Sequence, residues 1–225
     1  MVYGQRLGGD LYHFLRANPS RVVFGLLDVA GSHEENHRIV SAARQTFQEV
    51  GCERFADKEI NEADAMMEFC LELNLTIRRA AAGVRSCSAF LGCYNEELGT
   101  ICYANAGHTP GLLRDPSGIT ELPATGLPLG LFSASTYEAP TAALQPGASL
   151  LLVSRGVVEA AYKKEEFGLQ RVKQHFECCP DLTARDIAAL ILDGVQQFVR
   201  SAPVQNDVTA LALVRAANSK LAAGA

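Results

Sequence analysis

The sequence predicts an α+β fold in which two mainly antiparallel sheets lie face to face and helices cover their outer sides. Three observations predict it. Short apolar strands follow one another from Cys87 to Ser154, and strands that run consecutively favour antiparallel pairing. Two amphipathic helical stretches precede that run and two follow it. No internal repeat and no linker rich in Gly, Ser or Pro divides the chain. Residues 1–216 therefore read as one domain, and 217–225, small and polar, as a flexible tail.

The elements follow in order. "GGDLYHFLR" alternates, "NPSR" is a turn, and "VVFGLLDVAG" is a buried strand closed by glycine. Over residues 34–50, Ile39, Ala42, Ala43, Phe47 and Val50 form a helical stripe, and the polar residues 51–59 read as a loop. A second helix runs from Glu62 to Ala82 with Met66, Cys70, Leu73 and Ile77 on one face. "CSAFLGCY" and "TICYANAG" form a hairpin around Asn95–Gly99. "PGLLRD", "ITELP", "EAPTAAL" and "ASLLLVS" are further strands. Helices over Phe167–Glu177 and Asp186–Arg200 come next, and "DVTALALV" is the last strand.

With 225 residues, 48% hydrophobic and 20% charged, the composition is that of a globular protein able to bury a core. The net charge of −5 and the lack of a basic block argue against nucleic acid as partner. No apolar run is long enough to span a membrane, and the first residues lack the apolar core of a signal peptide. Seven cysteines, an odd number without C-x-x-C spacing, point to a reducing, cytoplasmic setting.

Candidate chemistry sits at strand ends. Asp10 follows Gly8-Gly9, Asp28 precedes Val29-Ala30-Gly31, and Asp207 follows Asn206. Each aspartate alone marks a turn. Carboxylates gathered from separate strand ends are also how Mg²⁺ or Mn²⁺ is held.

Order and spacing add to this. "LGGDLYHF", "LLDVAGS", "YANAGHTPGLLR", "GLPLGL", "LQPGASLLLVSRGVVEA", "EEFGLQRV" and "NDVTALALV" resemble, in sequence, the motifs of the metal-dependent PPM serine/threonine phosphatases in their bacterial SpoIIE/RsbU-type branch. The resemblance runs from Gly8 to Val214. It implies a four-layer α-β-β-α sandwich and a site for two Mn²⁺ or Mg²⁺ ions that activates a water for attack on phosphorus. It gives catalytic and metal-ligating roles to Asp10 and Asp28 and a backbone contact to Val29. It suggests a regulatory phosphoprotein as partner, such as an anti-sigma factor antagonist.

The same resemblance marks departures. The family's Thr-Asp-Gly, whose aspartate is a ligand, reads Ser154-Arg155-Gly156 here. Its Asp-Asp-Ile-Thr, whose first aspartate is a ligand, reads Asn206-Asp207-Val208-Thr209. His13 stands for the second aspartate of the opening motif and His33 for a glycine of the Asp28 turn, which makes both possible accessory residues. A unit charge about 4 Å away is worth about 4 kcal/mol per charge at an effective dielectric near 20. Asp to Arg turns that attraction for a cation into repulsion. The site is therefore expected to hold one ion or none, with Asn206 a neutral donor; the alternative is that Arg155 points to solvent and another acid, Glu159 or Asp207, compensates. With one ion or none the domain would be a weak or inactive phosphatase, the alternative being an active one with substituted ligands. Arg155 is expected to lie buried among Asp10, Asp28 and Asp207, so that its loss costs roughly 3–5 kcal/mol.

"HEENH", residues 33–37, also fits the H-E-x-x-H pattern of zinc peptidases, with Glu34 as base and Glu62 as a third ligand. Acids and polar residues at a helix start produce this pattern by chance, and the surrounding strand order belongs to the phosphatase motifs.

Overall fold

Two of the strands in this chain meet through paired acids: Asp10 of β1 (Asp10–Asn18) stands directly opposite Asp28 of β2 (Arg21–Val29) in an antiparallel ladder. The structure, a computed structural model, describes residues 9–31, 33–81, 85–178, 183–200 and 206–217, with the side chains of 33–35 left out. The expected tail beyond Ala217 lies outside the described residues.

Along β1 the side chains alternate. Leu11 and Leu15 pack toward the helices, while Tyr12 and Phe14 point the other way and are exposed. β2 is buried on both faces, as its unbroken apolar run requires. β1 and β2 continue into β3 (Cys87–Asn95), β4 (Thr100–Ala106) and β7 (Thr141–Ala143) to give a five-stranded antiparallel sheet. At the β3–β4 turn, the Asn95 side chain accepts from the backbone N–H groups of Glu97 and Leu98. Gly99, at φ +66°, supplies the left-handed residue that closes the hairpin.

Helix α1 (His33–Phe55) and helix α2 (Glu62–Ala80) cover the outer face of this sheet. Ile39, Ala43 and Phe47, each four residues apart, point inward, and Phe47 meets Phe69 edge to face. The expected loop over 51–59 is shorter than foreseen. Polar residues on the outer face carry α1 on to Phe55, whose buried ring packs on Phe69. The Asn61 side chain caps α2 by accepting from the N–H groups of Ala63 and Asp64.

The second sheet has the order β11-β8-β5-β6, from β5 (Gly111–Asp115), β6 (Gly118–Leu122), β8 (Ser149–Val153) and β11 (Ala210–Val214). Helices α4 (Gly168–Glu177) and α5 (Ala184–Val199) cover it, and Thr183 with Asp186 forms a capping box at the start of α5. Between the sheets lies a third core, with Phe90 stacked on Tyr103 at 5.3 Å against Leu150 and Leu152. Helix, sheet, sheet and helix give the four layers that the resemblance implies.

Further features differ from the sequence reading. Only three residues of "EAPTAAL" form a strand, and β11 starts at Ala210 rather than Asp207. A four-residue helix, α3 (Arg155–Val158), and a small hairpin of β9 (Ala161–Tyr162) and β10 (Glu165–Glu166) occupy what reads as a plain connection. Among the described residues no helix is long and apolar enough to cross a membrane. Cys70, Cys87, Cys93 and Cys102 are free and buried, as small apolar side chains.

Candidate active site

One edge of the sandwich gathers the start of β1, the end of β2, the end of β8 and the approach to β11. A pocket of about 130 Å³ opens there, lined by Asp10, Asp28, Val29, Arg155, Asn206 and Asp207 with Gly9, Ala30, Gly31 and Gly156. Pairing brings the elements together. Ser154, buried at the end of β8, donates from its backbone N–H to the Thr209 carbonyl. Its hydroxyl donates to the Asp207 carbonyl and accepts from the Thr209 N–H. Gly156 then passes so close that a β-carbon there would lie 1.9 Å from the Asp207 carbonyl oxygen. Only glycine allows that approach. Sequence reasoning did not single out Ser154; its place one residue before Arg155, at the end of an apolar strand, was the available signal.

The acids differ in their surroundings. The Asp10 carboxyl is pushed up to about 7, mainly by burial, with Asp28 and Asp207 adding to the rise and the Thr209 and Ser154 side chains opposing it. Its Oδ2 is buried without a hydrogen-bond partner among the described residues. Asp28 is raised by burial, and Arg155 pulls it the other way. Asp207 fastens the start of β1: its Oδ2 accepts from the backbone N–H groups of Gly9 at 2.9 Å and Asp10 at 3.1 Å.

Arg155 opens α3, and its Nε lies 3.4 Å from Asp28 Oδ2 and 3.8 Å from Glu159 Oε2, one helical turn on. The side chain is 51% exposed. The expectation of a buried guanidinium among three aspartates is therefore corrected. Starting a helix at the pocket mouth turns Arg155 outward over Asp28, and Asp207 is committed to backbone N–H groups instead. Exposed pairs of this kind are worth about 1 kcal/mol or less, not 3–5. Asn206 is exposed and donates to Glu159 Oε2 at 3.4 Å. The Val29 carbonyl accepts from the Asn36 side chain at 2.9 Å, a contact that sequence reasoning did not foresee. Arg85 brings a second guanidinium close to Gly31.

The accessory histidines are not brought in. His13 is an odd number of residues from Asp10, so β1 places it on the opposite face, edge to face with Phe47. The His33 side chain lies outside the described residues. The zinc-peptidase alternative loses its third ligand: Glu62 sits beyond the far end of α1, where it accepts from Arg21 Nε at 2.6 Å and Asn95 Nδ2 at 2.7 Å. Among the described residues no group of three or more His, Cys, Asp or Glu side chains is arranged to hold a metal ion. Asp10 and Asp28 offer oxygens to one cation. A cation already holds Asp28, and Asn206 faces Glu159, so the donors present do not fit two divalent ions.

Comparison with known proteins decides the family. The profile of stage II sporulation protein E (SpoIIE) matches residues 18–216. The chain belongs to the SpoIIE family. Its matched span begins after Asp10, so the first acid rests on the structure and on the motif around it. The chain is 27% identical over 191 residues to phosphoserine phosphatase RsbP of Bacillus subtilis, covering 84% of this chain and 45% of that protein. It is 23% identical over 219 residues to phosphoserine phosphatase RsbU of the same organism, covering 95% and 61%. The chain thus spans less than two thirds of the length of either relative. Among solved structures, the SiaA-PP2C domain of Pseudomonas aeruginosa superimposes with a TM-score of 0.78 at 16% identity, covering 95% of this chain and 84% of that one. The RsbU and RsbW domains of Rv1364c from Mycobacterium tuberculosis give 0.74 at 22%, covering 94% and 57%. RsbX, solved in complex with magnesium, gives 0.65 at 14%, covering 94% and 92%. These likenesses establish the PPM fold.

Proposed function

We propose that this SpoIIE-family domain serves bacterial signalling in the cytoplasm by binding a regulatory phosphoprotein or partner domain, with phosphoserine or phosphothreonine hydrolysis weak or absent. The family and the architecture support a phosphatase-type domain. One observation carries the loss of turnover: the Arg155 guanidinium lies against Asp28, at the position where the family's resemblance calls for a ligating aspartate. Two metals that clamp the attacking and leaving oxygens would supply most of the electrostatic stabilisation in such a site. A positive charge beside Asp28 works against that clamp. The partner class, an anti-sigma factor antagonist or a protein like it, rests on the motif resemblance to the SpoIIE/RsbU-type branch, and the relatives named phosphoserine phosphatases support a phosphoserine-bearing protein.

A second reading, an active Mn²⁺- or Mg²⁺-dependent phosphatase, is favoured by Asp10, whose buried Oδ2 is open to a cation. Turnover of p-nitrophenyl phosphate and of a phosphoserine peptide with Mn²⁺ separates the two. The wild type should stay at the level of an Asp28→Ala control, while Arg155→Asp combined with Asn206→Asp gains activity. Robust wild-type turnover that Asp28→Ala abolishes would establish the active reading.

A further inference from the structure

Three aspartates, Asp10, Asp28 and Asp207, converge on one pocket, and Arg155 is the only basic side chain among the described residues that line it. Clustered, desolvated carboxylates need a cation. Here part of that charge is built into the chain. The guanidinium lies at the mouth, 3.4 Å from Asp28 Oδ2 and 3.8 Å from Glu159 Oε2. α3 holds it there, because Gly156 packs against the Asp207 carbonyl. With Glu159 also on that guanidinium and Arg85 beside Gly31, four carboxylates face two guanidinium groups, which leaves two negative charges, as many as a single divalent cation neutralises. A second dication would compete with the guanidinium for Asp28, and Asn206, which also lines the pocket, is a neutral amide that already donates to Glu159.

We propose that Arg155 stands in the place of one metal ion, so that this pocket takes at most one divalent cation. The inference rests on the reading that this pocket is the family's phosphatase site, but it concerns the count of ions rather than turnover. Glu159 and Arg85 are the remaining charges near the mouth. Glu159 is already turned to Arg155 and Asn206, and Arg85 adds a further positive charge beside Gly31.

The test is the number of Mn²⁺ ions bound per chain, by equilibrium dialysis and calorimetry, with electron paramagnetic resonance to tell isolated from coupled ions. The wild type is expected to bind no more than one, with no exchange-coupled signal. Arg155→Asp with Asn206→Asp, folded by circular dichroism, should take up one more. Two Mn²⁺ ions in the wild type overturn the proposal, as does an unchanged count in the folded double variant. If that variant does not fold, Arg155→Ala serves: Mn²⁺ affinity should rise about tenfold or more on removal of the repelling charge, and an unchanged affinity overturns the proposal. A wild type that turns over substrate with one Mn²⁺ sinks the weak-hydrolysis reading and leaves this inference standing. Two Mn²⁺ ions without turnover do the reverse.

Discussion

Arg155 Nε lies 3.4 Å from Asp28 Oδ2, and Asp28 in turn stands opposite Asp10 across β1 and β2. One cation therefore faces a pair of acids that β-sheet register forces together. Like charges directly opposite in a ladder are destabilising unless something neutralises them. Here burial raises both carboxyls and Arg155 draws Asp28 back down.

The stability consequence of losing Arg155 is small. Its side chain is half exposed and touches Asp28 through one long contact, so Arg155→Ala should cost about 1 kcal/mol or less. The expensive ion pair lies elsewhere. Arg21 is 6% exposed, binds Glu62 at 2.6 Å and also donates to the Asp57 and Lys58 carbonyls. Arg21→Ala should cost about 3–5 kcal/mol, because it leaves Glu62 largely buried without its arginine. Urea unfolding of the two variants checks the ranking, and a reversed order contradicts it.

Gly156 should tolerate no side chain. A β-carbon would lie 1.9 Å from the Asp207 carbonyl oxygen, a backbone atom with little room to yield. Gly156→Ala is expected to destabilise by about 1–3 kcal/mol through overpacking. Equilibrium denaturation measures it, and a neutral result would mean that α3 and the Asp207 segment are not in contact.

Much of this arrangement is legible in the sequence, and the exceptions have physical reasons. The helices of the first and last layers announce themselves by stripes such as Ile39, Ala43 and Phe47, since a helix must bury one face. The motif-bearing strand ends also come together, because antiparallel ladders place the ends of β1, β2, β8 and β11 on one edge. α3 has four residues and the strands of the β9–β10 hairpin two each, too short for any periodicity to register. The sequence leaves open whether Arg155 points inward or to solvent, and α3, which spacing does not announce, turns it outward. The misplacement of His13 was avoidable, because period-two alternation already puts it on the face opposite Asp10. The role of Asp207 was not, since a carboxylate that accepts backbone N–H groups leaves no mark on spacing.

Stability should depend on pH through His108. Its ring is buried in the β4–β5 turn, with Nδ1 beside the Thr109 carbonyl and hydroxyl, and burial pushes its pKa from 6.5 down to about 4. The folded state then binds fewer protons than the unfolded state between those values. The stability His108 holds is complete above about pH 6.5 and is lost as pH falls through 4, to the extent of about 3 kcal/mol. Asp10 works in the opposite sense: its folded pKa of about 7 lies above the ordinary 3.8, so its share is complete at low pH and lost as pH rises through 7. Melting temperatures between pH 4 and 7 in a chelating buffer should fall less steeply on acidification in His108→Gln than in the wild type. Equal slopes would contradict the buried, neutral imidazole.

The most direct test of the substituted site is an anomalous difference map from crystals grown with Mn²⁺. The account predicts at most one peak beside Asp10 and Asp28, with the Arg155 guanidinium still against Asp28 Oδ2. Two peaks sharing Asp28, with Arg155 swung into solvent, would contradict it.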